Sequence, residues 1–421
     1  MLTALGPFRP VLIAALLMMV GQGVMNSILP VRLAQLDASA QIAGLLTTVY
    51  FLGQMIGTRL GHWLLHRTGH IRAFAAMIAA TGVCTLLAAM IEDPWVWMLL
   101  RLAMGVFTVL AILVMESWLN MASENSVRGS VFGAYMVVVY LGLTGGQSII
   151  GLFDTSTFVP FSIAAMALML AILPMTMTER AQPELPPTTR VRLVDLLRIS
   201  PVGIVSSIAS GALTGTMFGL FPFYAASVGL SPSGIATFMA AVIGGGLLLN
   251  WPLGKLSDMI DRRLVIGACS ITIVITSITL AMSATSLLTL VFAGGVMGGA
   301  TAALYSLSAA HTNDYLGGID AVAVGAGLLM AFGIGAIAGP MIASALMDMA
   351  APVALFVYTG VVGAMLAMLA LVRIVIQPAV GSGEKTDFVA LSRTAAVPLA
   401  MDPGTPEEET DGQMVATEPQ Y

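Results

Sequence analysis

Twelve times along this chain a run of about twenty apolar residues, the length that crosses a bilayer's hydrocarbon core, is closed by a short polar break. No other feature constrains the fold as strongly. In lipid every backbone N–H and C=O must find a partner within the protein, which leaves only helices and closed barrels. A barrel would show short segments of alternating polarity, and none occurs. Charged residues make up 9% of the chain and mean hydropathy is +0.94, whereas soluble domains carry about 25% charged residues. The reading is an all-α integral membrane protein.

The spans fall at approximately 8–30, 41–62, 72–91, 95–118, 129–152, 158–178, 201–225, 233–253, 264–283, 286–310, 320–346 and 352–376. An even number puts both termini on one side. With that side cytoplasmic, 15 of the 17 lysines and arginines lie at or beyond the cytoplasmic face, Arg32 alone is external and Arg101 lies inside a span. That distribution satisfies the positive-inside rule. The expectation is a multi-pass protein of the cell inner membrane with both termini cytoplasmic. Trp63, Trp95, Trp97, Trp118 and Trp251 fall near span ends and are expected as interfacial anchors. Residues 179–200 read as a cytoplasmic linker with a short surface helix over 191–198, and residues 377–421 as a disordered acidic tail. The tail carries a net charge of −6 against −5 for the whole chain, so the membrane part is close to neutral and nothing points to nucleic acid.

The linker divides the chain into residues 1–178 and 201–376, six spans each, and the two parts repeat one another. HWLLHRTGH at 62–70 matches GKLSDMIDR at 254–262 at an offset of 192, and Leu29-Pro30 matches Phe221-Pro222 at the same offset. Gly142 and Gly146 match Gly335 and Gly339 at 193. Two similar bundles that rock about a midplane site expose it to each side in turn, which is the geometry of a transporter.

These residues resemble the major facilitator superfamily. Gly254, Leu256, Ser257, Asp258, Arg262 and Arg263 match its loop between spans 8 and 9, with Met259 and Asp261 departing. The first-half copy keeps Leu64, Arg67, Gly69 and Arg72 but has His62 and His66 at the glycine and acidic positions. Arg101 with Gly105 fits the span 4 pattern; span 5 has Gln147 where proline is usual, and span 11 keeps Gly335, Gly339 and Pro340. VMESW, RGSVFGAYMVVVYLG and LLNWPLGKLSDMIDRRLV are similar to the YcaD-like branch. The resemblance implies a twelve-helix fold in two pseudo-symmetric bundles, alternating access and secondary transport.

A charge in hydrocarbon costs about 3 kcal/mol or more, so embedded ionisable residues are functional suspects. Arg101 is the one well inside a span, and Glu116 lies near the cytoplasmic end of the same helix. Fifteen residues, about 22 Å of helix, keep them from pairing. Arg101 is expected either to face an anionic or hydrogen-bonding substrate or to bond Gln22, Asn26 or neighbouring backbone. Further substrate-binding candidates are Gln22 and Asn26 on span 1, Tyr50 and Gln54 on span 2, Tyr140 and Gln147 on span 5, and Tyr224 and Tyr305 in the second half; such side chains also hold spans together. Gating is expected from Arg67, Gly69, Arg72 and Glu116 in the first half and from Gly254, Asp258, Arg262 and Arg263 in the second.

No Asp or Glu lies deep in a span, so a membrane-embedded carboxylate relay is not visible, and proton coupling is left to Glu116 or an acid at the cavity mouth. The cavity suits neutral, amphipathic or monoanionic solutes. His62, His66 and His70 share a helical spacing, but Thr68-Gly69 should break that helix, and they read as a basic loop rather than a metal site. Cys84 and Cys269, in apolar runs, read as small hydrophobes. No cofactor, nucleophile, acid–base pair or phosphate-cradling loop is found, so an enzyme is not expected. The leading reading is a monomeric secondary transporter of a small organic solute, with export one direction open to it. The competing reading is a transporter-derived sensor or assembly protein.

Overall fold

The structure, a computed structural model, describes residues 6–123, 125–177, 193–282, 286–315 and 321–376. The expected linker up to residue 192 and the tail from residue 377 lie outside the described residues. The first half contains α1 (Arg9–Gln35), α2 (Ala40–Thr68), α3 (His70–Met90), α4 (Pro94–Ala122), α5 (Asn125–Ile149) and α6 (Val159–Thr176). A short α7 (Leu193–Ile199) precedes α8 (Pro201–Ser227), α9 (Pro232–Met259), α10 (Arg262–Met282), α11 (Leu287–Asn313), α12 (Ala321–Met349) and α13 (Ala354–Ile376). All of these but α7 are long and apolar enough to cross a membrane. α1 begins, and α13 ends, on what is here termed the terminus side.

Local chemistry places the helix starts. Proline opens α4, α8 and α9, where its missing N–H costs no hydrogen bond. Asp93 accepts from the amides of Trp95 and Val96 at 2.9 and 3.0 Å, and Ser231 accepts from Gly234 N at 3.2 Å. Between α2 and α3 the chain turns on Gly69, whose φ of 75° is costly for any residue with a Cβ. The expected spans all occur, but α2 and α9 run about a turn or more past their apolar stretches because backbone pairing does not end where hydropathy does. The polar decapeptide from Gly254 to Arg263 is therefore mostly helix, broken only at Ile260 and Asp261.

Two other expectations change. Trp63, Trp95 and Trp251 are well exposed, as anchors should be, whereas Trp97 and Trp118 are buried; Trp97 Nε1 donates to Ala88 O at 2.9 Å. α7 is not a free surface helix: its Leu196 is fully buried, with the side chain against Gly327 of α12.

The duplication is visible contact by contact. In the first half Gly142 and Gly146 of α5 press on the α1 backbone at Leu16 and Val20; in the second, Gly335 and Gly339 of α12 press on α8 at Ile208 and Ala212. Each member is displaced by 192 or 193 from its counterpart. The pairing of α2 with α4 repeats in α9 with α11, Gly105 meeting the Tyr50 carbonyl and Gly298 the Val242 carbonyl. Small residues let these backbones approach closely where lipid supplies no hydrophobic drive.

The halves meet through α2 with α12, α5 with α9 and α1 with α8. On the side away from the termini this seam is closed. The Asp348 carboxylate of α12 accepts from the amides of Ala40 and Gln41, the first residues of α2, at 2.9 and 3.0 Å, and Thr48 Oγ1 donates to Ile337 O at 2.9 Å. Gly151, just past α5, lies against Ser233 and Ala236 of α9. Toward the terminus side the same stripe of α5 opens, with none of the described residues within 4 Å of where a side chain would begin at Gly133 or Gly129.

Candidate functional site

Between the halves lies a cavity of about 140 Å³. Most of its polar groups lie on the first-half wall, among apolar residues such as Phe51, Ile112 and Leu143. Arg101 projects from α4 with only 3% of its surface exposed. Its guanidinium carbon sits 4.4 Å from the centre of the Tyr50 ring, and Nη2 donates to Asn26 Oδ1 at 3.2 Å. Gln22 Nε2 donates to the Tyr50 hydroxyl at 2.5 Å. Arg101 Nε and Nη1 are buried without an acceptor among the described residues, and no Asp or Glu of those residues lines the cavity.

Six of the nine candidate substrate-binding residues thus line one space: Gln22, Asn26, Tyr50, Gln54, Arg101 and Tyr140. The i, i+4 pairs on α1 and α2 meet because both helices turn those faces inward. Tyr224 and Tyr305 do not line it; their rings pack edge-on against Phe356 at 4.8 Å and Phe332 at 5.4 Å. Gln147 is fully buried where α5 crosses α1, both polar atoms without a partner among the described residues. The wall also holds Thr108 and Tyr135, which the sequence reading missed. Thr108 lies seven residues after Arg101, two helical turns along the same face, and that spacing was the available signal. Arg101 is bonded to Asn26 and lines the cavity.

A second, smaller space of about 30 Å³ adjoins the first, sharing Tyr140, Thr214 and Phe218. Apart from Thr301, its wall is otherwise apolar or glycine, including Met217, Val242, Ile243 and Gly246.

The gating candidates separate into two groups. In the second half, Arg262 is buried and gathers three elements: it bonds Asp258 at 3.2 Å, Ser257 Oγ at 3.1 Å and Asp314, just past α11, at 2.8 Å. Arg263 clasps Asp261 at 2.6–3.1 Å and donates Nη1 to the Arg373 carbonyl of α13 at 2.9 Å. Asp261, a departure from the family pattern, is thus the acid Arg263 uses. Burial alone would raise its carboxyl, but the hydrogen bonds and charge of Arg263 outweigh that and bring it below the usual range. Gly254 is buried, its carbonyl accepting from Ser257 Oγ at 2.6 Å. In the first half, Arg67 and Arg72 are exposed and Arg67 lies over the Trp63 ring at 5.6 Å. Glu116 is fully buried and accepts from the Tyr135 hydroxyl at 3.3 Å, which ties it to the cavity wall.

The sequence matches the profile of the Major Facilitator Superfamily twice, over residues 11–247 and 202–400. The chain belongs to that superfamily. It is 28% identical over 347 residues to the uncharacterized MFS-type transporter YcaD of Escherichia fergusonii, covering 81% of this chain and 89% of the relative. It is 27% identical over 390 residues to the uncharacterized MFS-type transporter YE1530 of Yersinia enterocolitica, covering 91% and 99%. In fold it is similar to the crystal structure of the nucleoside transporter NupG, with a TM-score of 0.70 over 88% of this chain and all of that one, at 12% identity. As a superfamily member with transporter relatives, the protein is a multi-pass membrane transport protein.

Proposed function

We propose that the protein is a secondary active transporter, not an enzyme, that moves a small organic solute by alternating access. In this reading it works as a monomer in the inner membrane with both termini cytoplasmic. The observation that carries the proposal is the cavity between the halves, with most of its polar groups on one wall, closed on one side by Asp348 and its neighbours and with open space beside α5 toward the other. Gln22, Asn26, Tyr50, Gln54, Arg101 and Tyr140 hold the solute. Residues 1–178 and 201–376 are the rocking units, and the clusters at Asp258 to Arg263 and around Glu116 hold the terminus side as it opens and closes. The distribution of lysine and arginine supports a cytoplasmic terminus side. The described opening then faces the cytoplasm, where an exporter loads. Glu116, one hydrogen bond from cavity-lining Tyr135, is the acid assigned to a coupling proton.

The test needs no known substrate. A cysteine placed at Thr214 in the cavity should react with a membrane-impermeant maleimide in right-side-out and in inverted vesicles, since alternating access exposes it to both sides. Labelling from one side only, under every condition, would remove the transport reading and favour a sensor or assembly protein.

A further inference from the structure

We propose that the cavity takes amphipathic monocarboxylates in one orientation, the acid on Arg101 and the apolar body directed toward the second-half lobe. The proposal deepens the transport reading and rests on it.

The acid end follows from unmet donors. Arg101 is 97% buried by surface and lines the cavity, yet among the described residues Nε and Nη1 have no acceptor and the lining supplies no carboxylate. A buried guanidinium is stable only when paired, and its planar donors fit a carboxylate. Asn26 and the Tyr50 ring fix the guanidinium without neutralising it. A neutral ligand leaves those donors unmet, and an amine is repelled.

The apolar end follows from the duplication. The contacts that pair Gly105 with Tyr50 and Gly298 with Val242 set the register of the two halves, so each first-half position has a definite second-half counterpart. Asn26 corresponds to Phe218, Tyr50 to Val242, Gln54 to Gly246 and Arg101 to Gly294. Phe218, Val242 and Gly246 line the smaller lobe. That lobe is the symmetry copy of the Arg101 cluster, with the guanidinium, the amides of Asn26 and Gln54 and the Tyr50 hydroxyl replaced by apolar or small residues, while Gln22 and Thr108 keep hydroxyl counterparts in Thr214 and Thr301. One copy of a duplicated site recognises an anion and the other an apolar body. A dicarboxylate would press its second charge into the second-half copy, whose lining has no cation to offset desolvation.

The test uses the purified full-length protein with phenylbutyrate, its amide and phenylbutylamine, together with octanoate and octanamide, read by thermal stabilisation across a concentration series. The acids are expected to bind at least about ten-fold more tightly than their amides, the amine not at all. Arg101→Gln should remove the preference and Arg101→Lys should retain part of it. Acids that bind no better than their amides, or equally well to R101Q, overturn the proposal. If R101Q fails to fold, the comparison of acid with amide on the unsubstituted protein decides alone. Proteoliposome uptake separates the two readings. Selective acid binding without uptake of the labelled acid keeps the acid site and removes transport, whereas uptake of amide or amine at the acid's rate removes the acid site and keeps transport.

Discussion

Asp261 occupies one of the two residues that interrupt helix between α9 and α10, and its carboxylate receives the Arg263 amide at 2.9 Å as well as the guanidinium. Because this carboxyl titrates below its ordinary range in the folded protein, its contribution to stability is present above the unfolded-state pKa and is lost as pH falls through the folded one. Melting in detergent from neutral to acidic pH should therefore show a drop in Tm that Asp261→Asn abolishes; equal pH profiles would refute the assignment. The family pattern flagged Arg263 but not this partner, since a pattern scores residue types and the acid stands where another type is usual. Arg101 was legible for a different reason: one cation in a long apolar run is conspicuous against the cost of burying charge. Tyr135 and Thr108 were not, because a hydroxyl is cheap to bury anywhere along a helix when it can bond backbone or a neighbour, so its presence says little about where it points.

At the scale of helices, the glycines decide how close elements come. Gly146 sits against the Val20 carbonyl and Gly23 of α1, whereas Gly145, one residue before it, has nothing within 4 Å. Gly146→Ala should cost about 1–3 kcal/mol because the α1 and α5 backbones must separate, and Gly145→Ala should be neutral or stabilise by up to about 1 kcal/mol. Thermal or denaturant unfolding of the two variants checks this; equal losses would mean the α1–α5 crossing is not what Gly146 serves. The helix-forming stretches were readable to within a few residues since hydropathy is local and additive. The ends of α2 and α9 were not, because helical hydrogen bonding continues through polar residues such as Lys255 and Asp258 once a preceding turn has paid the nucleation cost.

At the scale of the whole molecule, the seam on the side away from the termini is held by Asp348, whose carboxylate accepts from two amides at the start of α2 and meets the positive end of that helix's dipole. Rocking the halves apart must break these contacts. With each charge-assisted bond contributing about 1.5–3 kcal/mol, Asp348→Ala should shift the population about ten-fold or more toward states open on that side. Distances between spin labels at Ser39 and Met349 should lengthen in the variant, and an unchanged distribution would show that other contacts hold the seam. The sequence by itself determined the twelve spans, their division into two related halves and the family, because in a bilayer the pairing of backbone groups leaves helices as the solution for long apolar runs and a duplication leaves its trace in spacing. Only the tertiary structure decided which polar residues share a cavity. Tyr50 and Tyr224 look alike in a sequence of apolar helices, yet one faces Arg101 and the other Phe356. That outcome depends on the rotation of each helix about its own axis, which is set by close contacts between partners distant in the chain, such as Gly105 with Tyr50 and Gly146 with Val20.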